Sequence, residues 1–193
     1  MQNFSYIVED ETTHEAIIID PSWDLDKIIQ IVEDQNLNPK YIVNTHWHDD
    51  HTRGNEELAA ELSIKIVQHN ASDLENDMTV SDGDTIKFGC SELVVYHTPG
   101  HSKDSICLVG DGKIFSGDTL FVGNCGRIDL PGGSSRELYH SLFDVISKLD
   151  DGLIMYPGHD YGSAQTSTIG NEKMTNPVMQ KISEEDFVMR MGG

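Results

Sequence analysis

The chain has 193 residues, 37% hydrophobic and 7% aromatic, which suits one domain with its own core, since single domains run from roughly 50 to 250 residues. The 33 acidic residues against 13 basic ones give a formal charge of −20, a field that repels polyanions and argues against a nucleic-acid partner. No run approaches the roughly 18–20 apolar residues of a membrane span, and Met1-Gln2-Asn3-Phe4 is not a basic-then-apolar signal segment, so a cytoplasmic protein without a membrane anchor is expected.

Residues 3–8 and 16–20 read as two strands of a hairpin, joined by the polar stretch 9–15. Asp20-Pro21-Ser22 breaks the second strand. Asp24 is placed to cap a helix in which Leu25, Ile28, Ile29 and Val32 recur at helical spacing, ending before Asn38-Pro39. Tyr41-Ile42-Val43 is a short buried strand that delivers the chain into Thr45-His46-Trp47-His48-Asp49-Asp50-His51. A helix is expected from Asn55, with Leu58, Ala59 and Leu62 on one face, and then a strand over 64–67. Further strands are expected at 85–88, 93–97, 105–109 and 113–116, separated by turns such as Asp82-Gly83 and Asp111-Gly112.

Ser134 and Glu137 have capping-box spacing, and Leu138, Leu142, Val145, Ile146 and Leu149 line one face of the helix that follows. A last strand at 153–156 leads into Pro157-Gly158-His159. Ser183 with Asp186 caps a short helix carrying Phe187, Val188 and Met191. Strands alternate with helices throughout, so a single mixed α/β domain over residues 1–193 is expected, with helices outside packed sheets. Cys90, Cys107 and Cys125 are isolated, with no Cys-x-x-Cys pair. They indicate neither a disulfide framework nor a cysteine zinc site.

The chemistry concentrates in histidine and aspartate. His46, His48, Asp50 and His51 fall within six residues. In an extended segment, side chains two apart point the same way, so His46 and His48 can converge on one ion while Asp50 and His51 face a neighbouring position. Three more candidates share a pattern of apolar strand, Gly- or Pro-containing turn and donor: His101 after Pro99-Gly100, Asp118 after Gly117, and His159 after Pro157-Gly158. Strand ends on one sheet edge are where sites assemble. Imidazole and carboxylate together suit zinc and non-haem iron. His14, His69, His97 and His140 follow no such pattern and read as structural.

Thr-His-x-His-x-Asp-His followed by separate His, Asp and His resembles the metallo-β-lactamase superfamily. That resemblance implies an αβ/βα four-layer sandwich with the site at one edge of two sheets. It implies a first metal position at His46, His48 and His101 and a second at Asp50, His51 and His159, with Asp118 bridging. Two divalent ions are then expected, zinc first, with iron or an iron–zinc pair as alternatives. Asp50 and Asp118 take the catalytic roles, orienting the nucleophile and fixing the bridge.

Within the superfamily, residues 115–122 with Cys125-Gly126-Arg127 resemble glyoxalase II, which hydrolyses S-acylglutathione thioesters. Arg127 and Tyr161 then fall where that family contacts glutathione. The C-terminal helical glutathione-binding domain of its longer members has no counterpart in these 193 residues, and Asp129 replaces an aromatic. A substrate site so shortened is one that a second copy can complete, so a homodimer is among the expected assemblies. Persulfide dioxygenases resemble the chain as well, through Gly126-Arg127-x-Asp129, Tyr139-His140-Ser141, His159-Asp160-Tyr161 and the tail at 185–188. That branch implies a single iron held at His46, His101 and Asp118. The first expectation is a metal-activated thioester hydrolase acting on a small molecule. A persulfide dioxygenase is the alternative, and a lactone or lactam hydrolase a third.

Overall fold

The computed structural model describes residues 2–192. Strand β2 (Glu15–Ile19) shows why two layers of cover are needed: Ile17 and Ile19 belong to one core, Ile18 to another, and all three are buried. A strand apolar on both faces must be covered on both.

The first sheet has the order β1-β2-β3-β4-β5, formed by β1 (Tyr6–Glu9), β2, β3 (Asn38–Val43), β4 (Lys65–His69) and β5 (Met78–Val80). β1 and β2 form the expected antiparallel hairpin, and the other neighbours are parallel. The crossovers carry α1 (Leu25–Asp34), the one-turn α2 (Asp49–Thr52) and α3 (Asn55–Leu62). The second sheet comprises β6 (Thr85–Phe88), β7 (Ser91–His97), β8 (Ile106–Gly110), β9 (Lys113–Gly117), β10 (Ile154–Pro157) and β11 (Ser167–Thr168), in the order β11-β10-β9-β8-β7-β6. Its helices are α4 (Ser135–His140), α5 (Ile169–Thr175) and α6 (Glu184–Met191).

Three apolar layers hold this together. Ile17, Ile19, Val43 and Val67 meet Phe88, Val95, Leu108 and Phe115 between the sheets. Ile18 and Ile42 meet Ile28 and Leu58 of α1 and α3 on the outside of the first sheet. Cys107, Ile114 and Met155 meet Leu138, Leu142 and Phe187 outside the second. The architecture is therefore the expected αβ/βα four-layer sandwich.

Strand direction sets the site. β7 and β9 both run antiparallel to β8, and β10 runs parallel to β9. The C-terminal ends of β7, β9 and β10 therefore share one edge, and the loops carrying His101, Asp118 and His159 start there.

The local expectations need two corrections. The Asp24 side chain does not cap α1: the residue stands at the N-cap position with φ 53° in the left-handed region, and only its main-chain carbonyl accepts from the helix, from the Lys27 and Ile28 amides. The helix expected from Ser134 through Leu149 is not uniform, since α4 gives way to a wide π-type turn at Ser141–Val145 and a 3-10 turn at Ile146–Lys148. The Ser141 hydroxyl donates to the Pro99 carbonyl at 2.6 Å, and such widened turns mark places where other contacts compete with the regular helix. Leu138, Leu142 and Ile146 still face the core, while Val145 and Leu149 are only half-buried. The Ser134 and Ser183 caps form as expected, accepting from the amides of Glu137 and Asp186 at 3.3 and 3.2 Å.

Candidate metal centre

The loop after β3 carries His46 and His48, and α2 carries Asp50 and His51. These four lie together with His101, Asp118 and His159. Three groupings place one donor atom per residue within 4.8 Å of the others: His46, His48 and His101; His46, His51 and Asp118; and Asp50, His51 and His159. Asp118 spans them, with Oδ1 at 3.4 Å from His51 Nε2 and Oδ2 at 3.5 Å from His101 Nε2 and 3.2 Å from His159 Nε2. Each carboxylate oxygen thus addresses different imidazoles.

The ring orientations follow from partners behind them. His101 Nδ1 lies 2.7 Å from the Arg127 carbonyl, which can only accept, so Nδ1 carries the proton and Nε2 turns a lone pair inward. Asp20, buried at the end of β2, does the same for two others. Its carboxylate takes the Thr45 amide at 2.7 Å and the Thr45 hydroxyl at 2.6 Å, and lies 3.0 Å from His51 Nδ1. The Thr45 oxygen, its proton given to Asp20, is then free to accept from His46 Nδ1 at 3.1 Å. The sequence reading takes Asp20 only as a strand breaker. The available signal was an acidic side chain ending a strand next to the one that feeds the histidine loop.

Close approach also demands glycine. A Cβ on Gly158 would stand 2.2 Å from Asp118 Oδ1, and one on Gly126 would stand 2.1 Å from the Asp118 carbonyl and 2.9 Å from His101 Cγ.

These donors fit a cation. His46 Nε2 and Asp118 Oδ1 are buried without a hydrogen-bond partner, a cost native cores seldom accept without a use for the atoms. Burial first, and then the neighbouring histidines, hold His46 well below the usual imidazole range; burial and His101 bring His48 down to about 4. Neutral rings at pH 7 offer lone pairs. Burial opposes charge on both Asp118 and His51. The facing histidines nevertheless keep the Asp118 carboxyl below its ordinary range, and Asp118, Asp20 and Asp50 carry His51 up to about 9. The carboxylates thus call for positive charge at this point, which a proton or a metal ion supplies.

Above the cluster is a cavity of about 340 Å³ walled by Phe121, Asn124, Cys125, Arg127, Leu130 and Tyr161. Tyr161 is 54% exposed and stacks on His159, with ring centroids 4.5 Å apart and planes 5° off parallel. Arg127 is gripped by Asp129 through Nε and Nη2, a fork that fixes the guanidinium plane and leaves its other donors free. Cys125 lines the cavity but is a poor nucleophile, because burial pushes its thiol up to about 12. The four histidines read as structural lie outside the cluster. His69 and His97 stack on each other at 4.0 Å, and His14 and His140 pair with Glu9 and Asp144.

A four-layer sandwich with imidazoles and carboxylates gathered at its strand ends defines a class of metal-dependent enzyme. The Metallo-beta-lactamase superfamily matches residues 1–159, and the chain belongs to that superfamily. Persulfide dioxygenase ETHE1, mitochondrial, of Homo sapiens is 34% identical over 193 residues, spanning 98% of this chain and 76% of that protein. Hydroxyacylglutathione hydrolase of Tolumonas auensis is 39% identical over 153 residues, spanning 77% of this chain and 58% of that protein. The crystal structure of ETHE1 from Myxococcus xanthus superposes with a TM-score of 0.95 at 32% identity, covering 100% of this chain and 86% of that one. Among the described residues, no helix is long and apolar enough to cross a membrane.

Proposed function

We propose that the chain is an iron-dependent dioxygenase acting on the persulfide of a small thiol, with glutathione persulfide as the first substrate to test. The carrying observation is extent: likeness to persulfide dioxygenase runs through nearly the whole chain, α6 included, while likeness to hydroxyacylglutathione hydrolase covers a shorter stretch. This reverses the order expected from sequence, where the thioester hydrolase came first.

His46, His101 and Asp118 supply two imidazoles and one carboxylate, the donor set of non-haem iron oxygenases that leaves coordination positions open. An iron ion held there would supply affinity for dioxygen and a route by which the electrons lost by the outer sulfur reach it. The net reaction is RSSH + O2 + H2O → RSH + SO3²⁻ + 2H⁺: the S–S bond breaks, the outer sulfur is oxidised and the thiol leaves reduced.

The protein's own part is to bind, orient and shield. Arg127, held flat by Asp129, presents its free donors to a substrate carboxylate. Tyr161 and Phe121 form an apolar wall beside His159, with centroids 5.5 Å apart. Asp50 stands at the cavity floor as an acceptor for the persulfide proton. His48 and His159 complete the lining, with His51 buried beneath it.

One observation favours a second reading. Asp50, His51 and His159 form a complete second donor set, which a dinuclear thioester hydrolase uses to hold the pair of ions that activates water.

The discriminating experiment offers glutathione persulfide and S-lactoylglutathione to the same preparation in an oxygen electrode. Oxygen uptake matched one-to-one by sulfite supports the dioxygenase. Thiol release from the thioester with no oxygen uptake from the persulfide would replace it with the hydrolase.

A further inference from the structure

One polar side chain outside the candidate ligand set reaches the centre from far away in sequence. The Asn3 amide nitrogen donates to the Asp50 main-chain carbonyl at 2.8 Å and to Asp50 Oδ2 at 2.9 Å. Both partners are acceptors, so the NH2 end must face them. That orientation leaves Asn3 Oδ1 buried without a partner, so the clamp is kept although it orphans an acceptor.

The main chain of the same residue is tied to a different ligand loop. Asn3 forms an antiparallel bridge with His159. Next to it, the Phe4 amide donates to the Gly158 carbonyl at 2.9 Å and the Asp160 amide to the Gln2 carbonyl at 2.8 Å. Asp50 belongs to the first half of the fold and His159 to the second, and Asn3 touches both.

The donor atoms it joins are already spaced for an ion. Bonds of about 2.0–2.2 Å in tetrahedral array set neighbouring donors roughly 3.3–3.6 Å apart. His51 Nε2 and His159 Nε2 are 3.3 Å apart, Asp50 Oδ2 and His159 Nε2 are 3.5 Å, and Asp50 Oδ2 and His51 Nε2 are 3.8 Å.

We propose that Asn3 is a positioning residue for a cation position formed by Asp50, His51 and His159, its side chain fixing Asp50 while its main chain fixes His159. The proposal concerns cation binding and stands whichever reaction the enzyme runs. Partners behind a ligand are worth about 10–100-fold in metal affinity, and the effect here is confined to one of the two positions.

The test is a cobalt(II) titration of chelator-stripped protein, followed by visible absorption. The native chain is expected to fill two positions in separate steps. Asn3→Ala weakens one step by roughly 10–100-fold and leaves the other unchanged. Asn3→Asp keeps the size but sets a carboxylate against Asp50, so it weakens the same step at least as much. It also preserves the test if the alanine variant does not fold. A single cobalt step in the native chain, equal weakening of both steps, or variants that titrate like the native chain would each overturn the proposal.

Discussion

Asp20 touches no candidate donor atom that faces an ion, yet it sets two of the rings. Its carboxylate fixes His51 directly and His46 through the Thr45 hydroxyl. Asp20→Ala should therefore weaken metal binding by about 10–100-fold, read by competition with a chromophoric chelator, although no ligand is changed. It should also destabilise the fold, since buried groups left unpaired cost about 1–3 kcal/mol each. Unaltered affinity would remove Asp20 from the account. Tyr161 separates stacking from hydroxyl chemistry. Tyr161→Phe retains the ring over His159 and should retain metal affinity, while Tyr161→Ala should lose part of it. A raised KM with unchanged kcat in the phenylalanine variant would assign the hydroxyl to substrate binding.

At the scale of elements, the loops matter more than the strands they leave. Gly158 ends the turn after β10, and a methyl group there collides with Asp118. Gly158→Ala should yield folded protein with depleted metal, measured by elemental analysis beside a circular dichroism spectrum; full metal content would show that the loop can yield. Asn176 holds the cavity wall from behind, donating to the carbonyls of Phe121 and Asn124 and to Glu172. Asn176→Ala should lower the melting temperature, because it orphans buried acceptors at about 1–3 kcal/mol each.

His101, Asp118 and His159 were legible because each follows an apolar strand and a turn, and His46, His48, Asp50 and His51 because they crowd into six residues after one strand, both patterns written locally. Ile17, Ile18 and Ile19 likewise read as part of a strand, which the structure buries on both faces. Asn3 and Asp20 were not legible as parts of the site, since their meaning lies in partners 47 and 25–31 residues away. β5 and β11 were missed because three and two residues carry no periodicity. The failed cap at Asp24 shows the same limit: the residue type suited the role, but the chain arrives there with a left-handed backbone.

Over the whole molecule, charge and protonation govern how the centre behaves. In metal-free protein, His48 sits at about 4, below its ordinary 6.5, so its share of stability is present above 6.5 and lost as pH falls toward 4. His51 sits at about 9, so its share is present below 6.5 and lost as pH rises toward 9. The stripped protein should be most stable near pH 6.5, with melting temperature declining on both sides, and a cation bound at the Asp50, His51 and His159 position should suppress the alkaline decline by taking the place of the His51 proton. A stripped protein with a flat profile from pH 5 to 9 would contradict this coupling.

The most direct measurement is metal content per chain, by elemental analysis, of native protein and Asp118→Ala produced with iron and zinc both supplied. The account predicts about one iron per native chain and little metal in the variant, with the fold intact by circular dichroism. Native protein that carries no transition metal, or an Asp118→Ala variant that carries as much as the native chain, would contradict it.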